Sequence, residues 1–273
     1  MTIYAIGDIH GCSKSLNNIL DKIEFNKNKD ELWLVGDLVS RGKKSLDVLR
    51  QVINLENNVK VVLGNHDLYL LSVLAEINKP NHHDYFDKII ESPDRSSIID
   101  WLRNLPLVYW NKKLNKVLVH AGIPPQWTID QSQKKSDFIS NQLKSNNWKI
   151  FLSKIFGNEP KKWSENLNID EKNRYIINAF TRMRYCDNKG NINLENKCAP
   201  GMQPDNLVPW YDFPSRKTKN IHIIFGHWSS LRLLNKKNIS AIDTGCVWGG
   251  YLTALPVFPK GNPIKVKCNS NKL

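Results

Sequence analysis

The stretch IYAIGDIHG at residues 3–11 decides the fold of this chain, because a short β-branched and apolar run ends there at a glycine and polar residues follow. The same order returns in LWLVGDLVSRG at residues 32–42 and in VKVVLGNHD at residues 59–67. The three runs begin roughly 28 residues apart, the length of a strand, a loop and a crossover helix. Apolar residues at helical spacing lie between them, at 16–23 and 46–53. The pattern predicts parallel βαβ units and therefore an α/β fold.

The strand pattern is interrupted in the middle of the chain and then returns. Further apolar runs of strand length lie at residues 117–119, 221–225, 239–242 and 251–255. Between about 126 and 220 the chain is rich in Lys, Asn and clustered aromatic residues, which predicts a mostly helical insertion or cap region. We expect a single domain over residues 1–273, with central β-sheets sandwiched by helices. The basic segment at about 260–273 is expected to be a frayed tail.

Charge is the unusual feature of the composition. The 273 residues include 39 Lys+Arg and 26 Asp+Glu, a formal net charge of +13. The hydrophobic fraction of 41% and the charged fraction of 24% are those of a folded globular protein, which excludes disordered and collagen-like chains. A basic surface favours anionic partners such as nucleic acid, nucleotides or anionic lipid. However, Lys far outnumbers Arg, and compositional drift at exposed positions explains that surplus equally well.

Several features indicate a cytoplasmic protein with no membrane partner. The first ten residues lack a basic n-region and do not resemble a signal peptide. No run approaches 18 consecutive apolar residues, so we expect no transmembrane helix. The cysteines are odd in number and contain no CxxC pair, which predicts neither a disulfide framework nor a structural zinc site. They are Cys12, Cys186, Cys198, Cys246 and Cys268.

Side chains that can bind a metal ion follow each of the core strands. They are Asp8, His10, Asp37, Asn65, His66, His120 and His227. In open α/β sheets, ligands bind outside the carboxyl ends of the strands, so these side chains should converge. Carboxylate, amide and imidazole without thiolate suit Mn²⁺, Fe, Co²⁺ or Zn²⁺ better than Ca²⁺. Two ions roughly 3.5–4 Å apart would need a shared carboxylate, and Asp37 is the candidate bridge. Taken singly, each motif is also consistent with an ordinary turn.

These motifs together resemble those of the calcineurin-like metallophosphoesterases, and the second, Arg41-bearing motif resembles the phosphoprotein-phosphatase branch. The resemblance implies one ion held by Asp8, His10 and Asp37. It implies a second ion held by Asp37, Asn65, His120 and His227. It further implies that His66 is the general acid for the leaving oxygen and that Arg41 binds phosphate oxygens.

Two positions depart from the protein-phosphatase pattern. Ser40 stands where those enzymes have the aspartate that orients the catalytic histidine, and Asp67 stands where they usually have glutamate. Both departures weaken a protein-phosphatase interpretation and leave the orientation of His66 open.

Two longer stretches narrow the resemblance. FTRMRYC at residues 180–186 and IDTGCVWGG at residues 242–250 are similar to the bacterial symmetrical diadenosine tetraphosphatases. This resemblance implies hydrolysis of P1,P4-bis(5′-adenosyl) tetraphosphate to two ADP, by in-line attack of a hydroxide that bridges two divalent ions such as Mn²⁺ or Co²⁺. It extends to removal of dinucleoside-type caps from RNA 5′ ends. No obligate protein partner is evident.

Basic and aromatic residues beside the motifs are candidates for substrate contacts. Arg41, Arg182 and Arg184 could clamp the polyphosphate, since a guanidinium matches phosphate oxygens bidentately. On a regular helix, residues two positions apart cannot both point into one site, so only one of Arg182 and Arg184 is expected there. Trp228 and Trp248 could stack on adenine or could simply pack.

Two alternative functions remain at the level of the sequence. One is a serine/threonine phosphoprotein phosphatase, against which Ser40 counts. The other is a non-catalytic basic nucleic-acid-binding protein with degenerate metal motifs, which would bind RNA or DNA in a salt-dependent way. Because the candidate ligands contribute little to the net charge of +13, drift is the preferred explanation of the charge, and neutralising several tail lysines should leave turnover nearly unchanged.

Overall fold

The apolar runs form strands and the amphipathic stretches form helices, in a computed structural model that describes residues 1–269. The strands in chain order are β1 (Ile3–Ile6), β2 (Glu31–Leu34), β3 (Val59–Val61), β4 (Val108–Asn111), β5 (Lys116–Val119), β6 (Tyr185–Asp187), β7 (Ile192–Asn193), β8 (Leu207–Pro209), β9 (His222–Phe225), β10 (Leu234–Lys236), β11 (Ile239–Ala241), β12 (Tyr251–Phe258) and β13 (Ile264–Lys267). The helices are α1 (Ser13–Lys22), α2 (Ser45–Ile53), α3 (Asn65–Leu74), α4 (Asp87–Ile90), α5 (Arg95–Arg103), α6 (Ile129–Lys144), α7 (Trp148–Ser153) and α8 (Ile169–Arg182).

Two five-stranded sheets carry the fold. The first has the order β13-β12-β1-β2-β3, and its β1, β2 and β3 are parallel, as the repeated strand pattern predicts. The second has the order β10-β11-β9-β5-β4, with β5, β9 and β11 parallel. The carboxyl ends of these parallel strands carry the loops that hold the predicted metal-ligand residues.

The two sheets pack face to face through a buried apolar layer. Ala5, Trp33 and Leu255 of the first sheet share one cluster with Leu118 and Ile224 of the second. Full burial of a large apolar side chain stabilises a fold by about 1.5–3 kcal/mol. Helices cover the outer faces, because their apolar residues recur every three or four positions and form one buried stripe. The predicted arrangement of central sheets between helices is therefore confirmed.

The region between residues 126 and 220 contains helices α6, α7 and α8, and also a small antiparallel sheet. That sheet has the order β7-β6-β8 and was not predicted from the sequence. Its strands are two or three residues long, which is too short for a periodic pattern to show.

The C-terminal segment differs from the expected frayed tail. Residues 264–267 form β13, which pairs antiparallel with β12 at the edge of the first sheet. Ile264 and Val266 are partly buried, whereas the alternating Lys265 and Lys267 are exposed, so the lysines lie on the solvent face of a strand. Residues 270–273 of the predicted tail lie outside the described residues.

The expectation that no disulfide forms was also wrong. Cys246 and Cys268 form a disulfide with a Cα–Cα distance of 5.3 Å, across a separation of 22 residues. Cysteine number and spacing could not reveal it, because the pairing of β13 with β12 is what brings Cys268 beside the loop of Cys246. In the described part of the chain, no helix combines the length and hydrophobicity needed to cross a membrane.

Candidate active site

The predicted ligand residues converge at the carboxyl ends of the parallel strands. Asp8 and His10 follow β1, Asp37 follows β2, Asn65 and His66 open α3, and His120 and His227 follow β5 and β9. Several of these loop residues have positive φ without being glycine, a conformation that the surrounding structure must impose. They are His10 (46°), Asp37 (49°), Ser40 (73°), Arg41 (66°) and His227 (64°). The tight loops bring the candidate ligand side chains toward a common centre.

Asp37 lies at that centre and belongs to two groups of possible metal ligands. His10, Asp37 and His66 form one group, Asp37, His120 and His227 form the other, and within each group the ligand atoms lie within 4.8 Å of one another. The Asp37 Oδ2 atom is 3.6 Å from His10 Nε2 and 3.4 Å from His120 Nε2. The shared position agrees with the predicted bridging role, which nevertheless stays a prediction.

The remaining predicted ligands join the same two groups. Asp8 Oδ2 is 4.0 Å from His10 Nε2, on the side of the first group. Asn65 Oδ1 is 3.3 Å from His120 Nε2, on the side of the second. The structure therefore brings together all six residues predicted as metal ligands, but the first group contains His66 in place of Asp8, and the division of the ligands between two ions stays a prediction.

Hydrogen bonds to the backbone fix the imidazole rings. The Nδ1 atoms of His10 and His120 lie 2.9 Å and 2.7 Å from the carbonyl oxygens of Val39 and Val35. A carbonyl oxygen only accepts, so both Nδ1 atoms carry protons and, in the neutral rings, each Nε2 presents a lone pair. This arrangement is typical of histidines that bind metal ions. The site thus offers correctly oriented nitrogen donors.

Buried carboxylates supply the negative charge of the site. Burial, together with repulsion from Asp243 and Asp37, raises the pKa of Asp8 well above its usual value. Burial opposes ionisation of Asp37 too, but the facing His120 and His66 hold its pKa well below the usual value. A group of buried carboxylates is costly unless cations compensate it. This donor set fits divalent cations.

Two further aspartates were not predicted as site residues. Asp243 is buried beside Asp8, follows β11 and lines the same cleft as His10 and Asp37. Its position after a strand was a usable signal in the sequence. Asp67 accepts hydrogen bonds from the backbone N–H groups of three residues in two ligand-bearing loops. Nothing in the sequence distinguishes this role of Asp67 from that of an ordinary residue in the first turn of a helix.

The cleft beside the ligands has a volume of about 430 Å³ and a basic lining. Helix α8 ends at Arg182, and Met183 has extended backbone (φ −66°, ψ 135°). Arg182 and Arg184 therefore do not lie on one regular helix, and both line the cleft with Arg41. The premise that both lie on one regular helix was therefore wrong, and which of the two contacts phosphate stays a prediction. Across residues 1–269, none of these three arginines forms an ion pair with a carboxylate, so their charges are available to an anion.

The two tryptophans beside the motifs occupy different environments. Trp228 is buried, its ring packs 4.7 Å from that of Tyr185, and its Nε1 donates to the Cys198 carbonyl oxygen at 3.0 Å. Trp248 is 62% exposed and lines the cleft. Packing explains the first residue, while the second is placed where a ligand can reach it.

Ser40, which departs from the protein-phosphatase pattern, forms a hydrogen bond of its own and does not orient His66. Ser40 Oγ donates to Asp84 Oδ1 at 2.9 Å, and Asp84 is buried and lines a cavity next to the cleft. The backbone N–H of His66 donates to Asp37 Oδ1 at 2.8 Å, and the His66 ring lies 5.0 Å from that of His10, edge to face. Its Nδ1 is buried and has no hydrogen-bond partner within the described chain. The position of His66 is thus set by its backbone and by ring packing.

Comparisons with known proteins agree with this geometry. The sequence profile of the family described as calcineurin-like phosphoesterase matches residues 1–228. A protein of Cellvibrio japonicus named "Bis(5′-nucleosyl)-tetraphosphatase, symmetrical" is 44% identical over 256 residues, which is 93% of this chain and 95% of the relative. A protein of the same name from Stutzerimonas stutzeri is 39% identical over 274 residues, covering 100% of this chain and 99% of the relative.

Solved structures share the fold. A crystal structure described provisionally as a diadenosine tetraphosphatase has a TM-score of 0.67 at 23% identity, covering 98% of this chain and 93% of that one. A serine/threonine phosphatase structure from Saccharomyces cerevisiae has a TM-score of 0.59 at 16% identity, covering 100% and 81%. At these identities the structures show the fold alone. The sequence profile and the curated relatives, however, establish that this chain belongs to the calcineurin-like phosphoesterase family, among the symmetrical bis(5′-nucleosyl)-tetraphosphatases.

Proposed function

We propose that this protein hydrolyses diadenosine tetraphosphate at its central phosphoanhydride and releases two ADP. One water is consumed: its oxygen bonds to one of the two inner phosphorus atoms, the central P–O bond breaks, and the leaving ADP oxygen receives a proton. The relatives at 39–44% identity carry the name of this activity, which supports its transfer to this chain.

The observation that carries the proposal is the position of Asp37 between two ligand groups, beside a cleft with three arginines that form no ion pair with any residue of 1–269. A tetraphosphate chain carries several negative charges, and arginine forks bind such oxygens bidentately. Two groups of candidate metal ligands that share one carboxylate are typical of two-ion sites for phosphoryl transfer, and they are not what a single-ion or purely structural site requires. The juxtaposition therefore favours a polyphosphate substrate.

Each residue has a proposed task in this reaction. Asp8, His10, Asp37, Asn65, His120 and His227 would hold two divalent ions, Mn²⁺, Co²⁺ or similar, which would polarise phosphoryl oxygens and lower the pKa of a water. Arg41, Arg182 and Arg184 would hold the phosphate chain in the cleft. His66 would donate the proton to the leaving oxygen. Burial and the nearby His10 and Arg41 lower its pKa to about 4, and bound phosphate would raise it again by stabilising imidazolium.

The region at 126–220 would act as a cap in this reading. It contributes Arg182, Arg184 and Lys197 to the lining of the cleft. We further propose RNA with a dinucleoside-type 5′ cap as a substrate, because it presents the same polyphosphate linkage. We also propose that the enzyme is cytoplasmic, where nucleotide substrates are found, and that it acts without an obligate protein partner.

Chromatography of the products tests the proposal. Purified protein with Mn²⁺ or Co²⁺ and diadenosine tetraphosphate should yield ADP alone. AMP and ATP as main products would contradict symmetrical cleavage, and no turnover with any divalent ion in a metal screen would contradict the hydrolase assignment.

A phosphopeptide assay run in parallel separates the proposal from a protein-phosphatase activity, which the shared fold alone leaves open. We expect the nucleotide to have the larger kcat/KM. A larger value for the phosphopeptide would reverse the assignment.

A further inference from the structure

A second cavity of about 430 Å³ adjoins the metal cleft and has no part in the roles assigned above. It lies between α3, the segment at residues 81–84, the turn at residues 155–158 and α8. Arg41, Asn65, His66 and Arg182 line both this cavity and the cleft. The two cavities therefore adjoin, and His66 is one of the four residues at their junction.

The chemistry of the second cavity differs from that of the cleft. Apolar and aromatic side chains contribute much of its lining, and they are Leu68, Tyr69, Ile155, Phe156 and Ile177. We call this set the aromatic pocket. The amide side chains of Asn81 and Asn158 also face it. Volumes of about 300–1,000 Å³, apolar walls and a few polar groups are typical of sites for small organic ligands, and aromatic side chains stack on nucleobases.

Arg182 forms the boundary between the two spaces. Its guanidinium donates to Asn178 Oδ1 at 2.9 Å, to Asn158 Oδ1 at 2.9 Å and to the Gly157 carbonyl oxygen at 3.3 Å. These acceptors are neutral, so they fix the side chain without cancelling its charge. The lining of the aromatic pocket thus combines two arginines, Arg41 and Arg182, and one carboxylate, Asp84, with apolar side chains, and the excess of positive charge suits a phosphate joined to a nucleoside.

We propose that the aromatic pocket binds the nucleoside of the leaving ADP, with Phe156 and Tyr69 as the base-contacting residues. This inference rests on the proposed function. Because His66 lies at the junction and would protonate the leaving oxygen, the half of the substrate that carries this oxygen extends into the aromatic pocket. The other half stays in the cleft, toward Trp248.

Phe156 allows a clean test. Its side chain is 37% exposed, so its loss should leave the fold intact, and Phe138 on α6, which is 38% exposed, is a matched control outside the pocket. We expect Phe156→Ala to raise KM for diadenosine tetraphosphate about 5- to 150-fold, from the roughly 1–3 kcal/mol of base–aromatic stacking, with kcat nearly unchanged. The KM of Phe156→Leu should lie between those of Phe156→Ala and the wild type, and the KM of Phe138→Ala should match that of the wild type.

Three readouts keep this inference separate from the proposed function. Hydrolysis of p-nitrophenyl phosphate, which has no nucleoside, should be equal in Phe156→Ala and the wild type. Calorimetric titration of the metal-loaded proteins with ADP should show weaker binding to Phe156→Ala. A KM within twofold of the wild type, or an equal loss on p-nitrophenyl phosphate, would overturn the assignment of the pocket. Wild-type protein that does not form ADP alone would instead overturn the proposed function.

Discussion

Asp67→Ala is expected to destabilise the protein by far more than an ordinary surface substitution. The Asp67 carboxylate accepts the backbone N–H of Asp37 at 2.8 Å, of Leu38 at 3.0 Å and of Gly64 at 2.9 Å. These donors belong to the loops after β2 and β3, so a single side chain ties together two ligand-bearing segments. Asp67 has no exposed surface, and water cannot replace it without rearrangement.

The magnitude follows from these contacts. A hydrogen bond to a charged group contributes about 1.5–3 kcal/mol, and buried donors left without a partner cost a similar amount. The three bonds share one carboxylate, so their contributions are not additive. Burial and repulsion from Asp37 raise the pKa of Asp67 to about 6, and they offset part of the stabilisation by these bonds. We expect a loss of about 3–5 kcal/mol, as for removal of one partner from a buried charged pair.

Asp187 provides a matched control. Its carboxylate also accepts three hydrogen bonds, from the backbone N–H groups of Lys189 and Asn191 and from Asn191 Nδ2, but in a turn that is open to solvent. Water can satisfy these donors, so Asp187→Ala should cost about 1 kcal/mol. Asp67→Asn keeps one acceptor oxygen and removes the repulsion from Asp37, so its cost should be smaller than that of Asp67→Ala.

The assay is urea unfolding followed by circular dichroism at pH 8, where the Asp67 carboxyl is ionised. A chelator is needed, because bound ions would add stability of their own. A free energy of unfolding for Asp67→Ala within about 1 kcal/mol of the wild type, or a cost no larger than that of Asp187→Ala, would refute the reasoning.

Three further outcomes are expected. Asp37→Asn should leave the circular dichroism spectrum unchanged and lower kcat by more than roughly 100-fold. Loss of a residue that only hydrogen-bonds a metal ligand typically costs roughly 10–100-fold, and Asp37 belongs to both ligand groups itself. A smaller loss would contradict a role of Asp37 in both groups. Cys268→Ser should lower the oxidised protein's stability by about 3 kcal/mol in urea unfolding, because the disulfide to Cys246 closes 22 residues, and should change nothing under reductant. Burial, Lys116 and Lys260 lower the pKa of His222 from 6.5 to about 4. As the pH falls from 6.5 to about 4, the unfolded state therefore takes up this proton before the folded state does, and the free energy of unfolding should decrease. His222→Gln should weaken this pH dependence, measured as urea unfolding midpoints.

The local pattern of the sequence was sufficient for the fold class and for the convergence of the candidate metal-ligand residues. The apolar runs predict buried strands, and the Gly-Asp or Gly-Asn pairs that follow them predict turns, because glycine has a freer backbone. Both signals depend only on neighbouring residues. Parallel strands place their carboxyl ends on one edge, so Asp8, Asp37 and Asn65 had to meet there. The same rule could have identified Asp243, which also follows a strand.

Only the tertiary structure decided the features that depend on contacts between distant segments. The end of α8 at Arg182 turns Arg184 into the same cleft, β-pairing brings Cys268 to Cys246, and the Asp67 carboxylate meets N–H groups some 30 residues away. The aromatic pocket is likewise assembled from α3, the 155–158 turn and α8. Periodicity and motif spacing report each segment's own burial and turns, whereas these features arise from packing between segments, which no local pattern encodes.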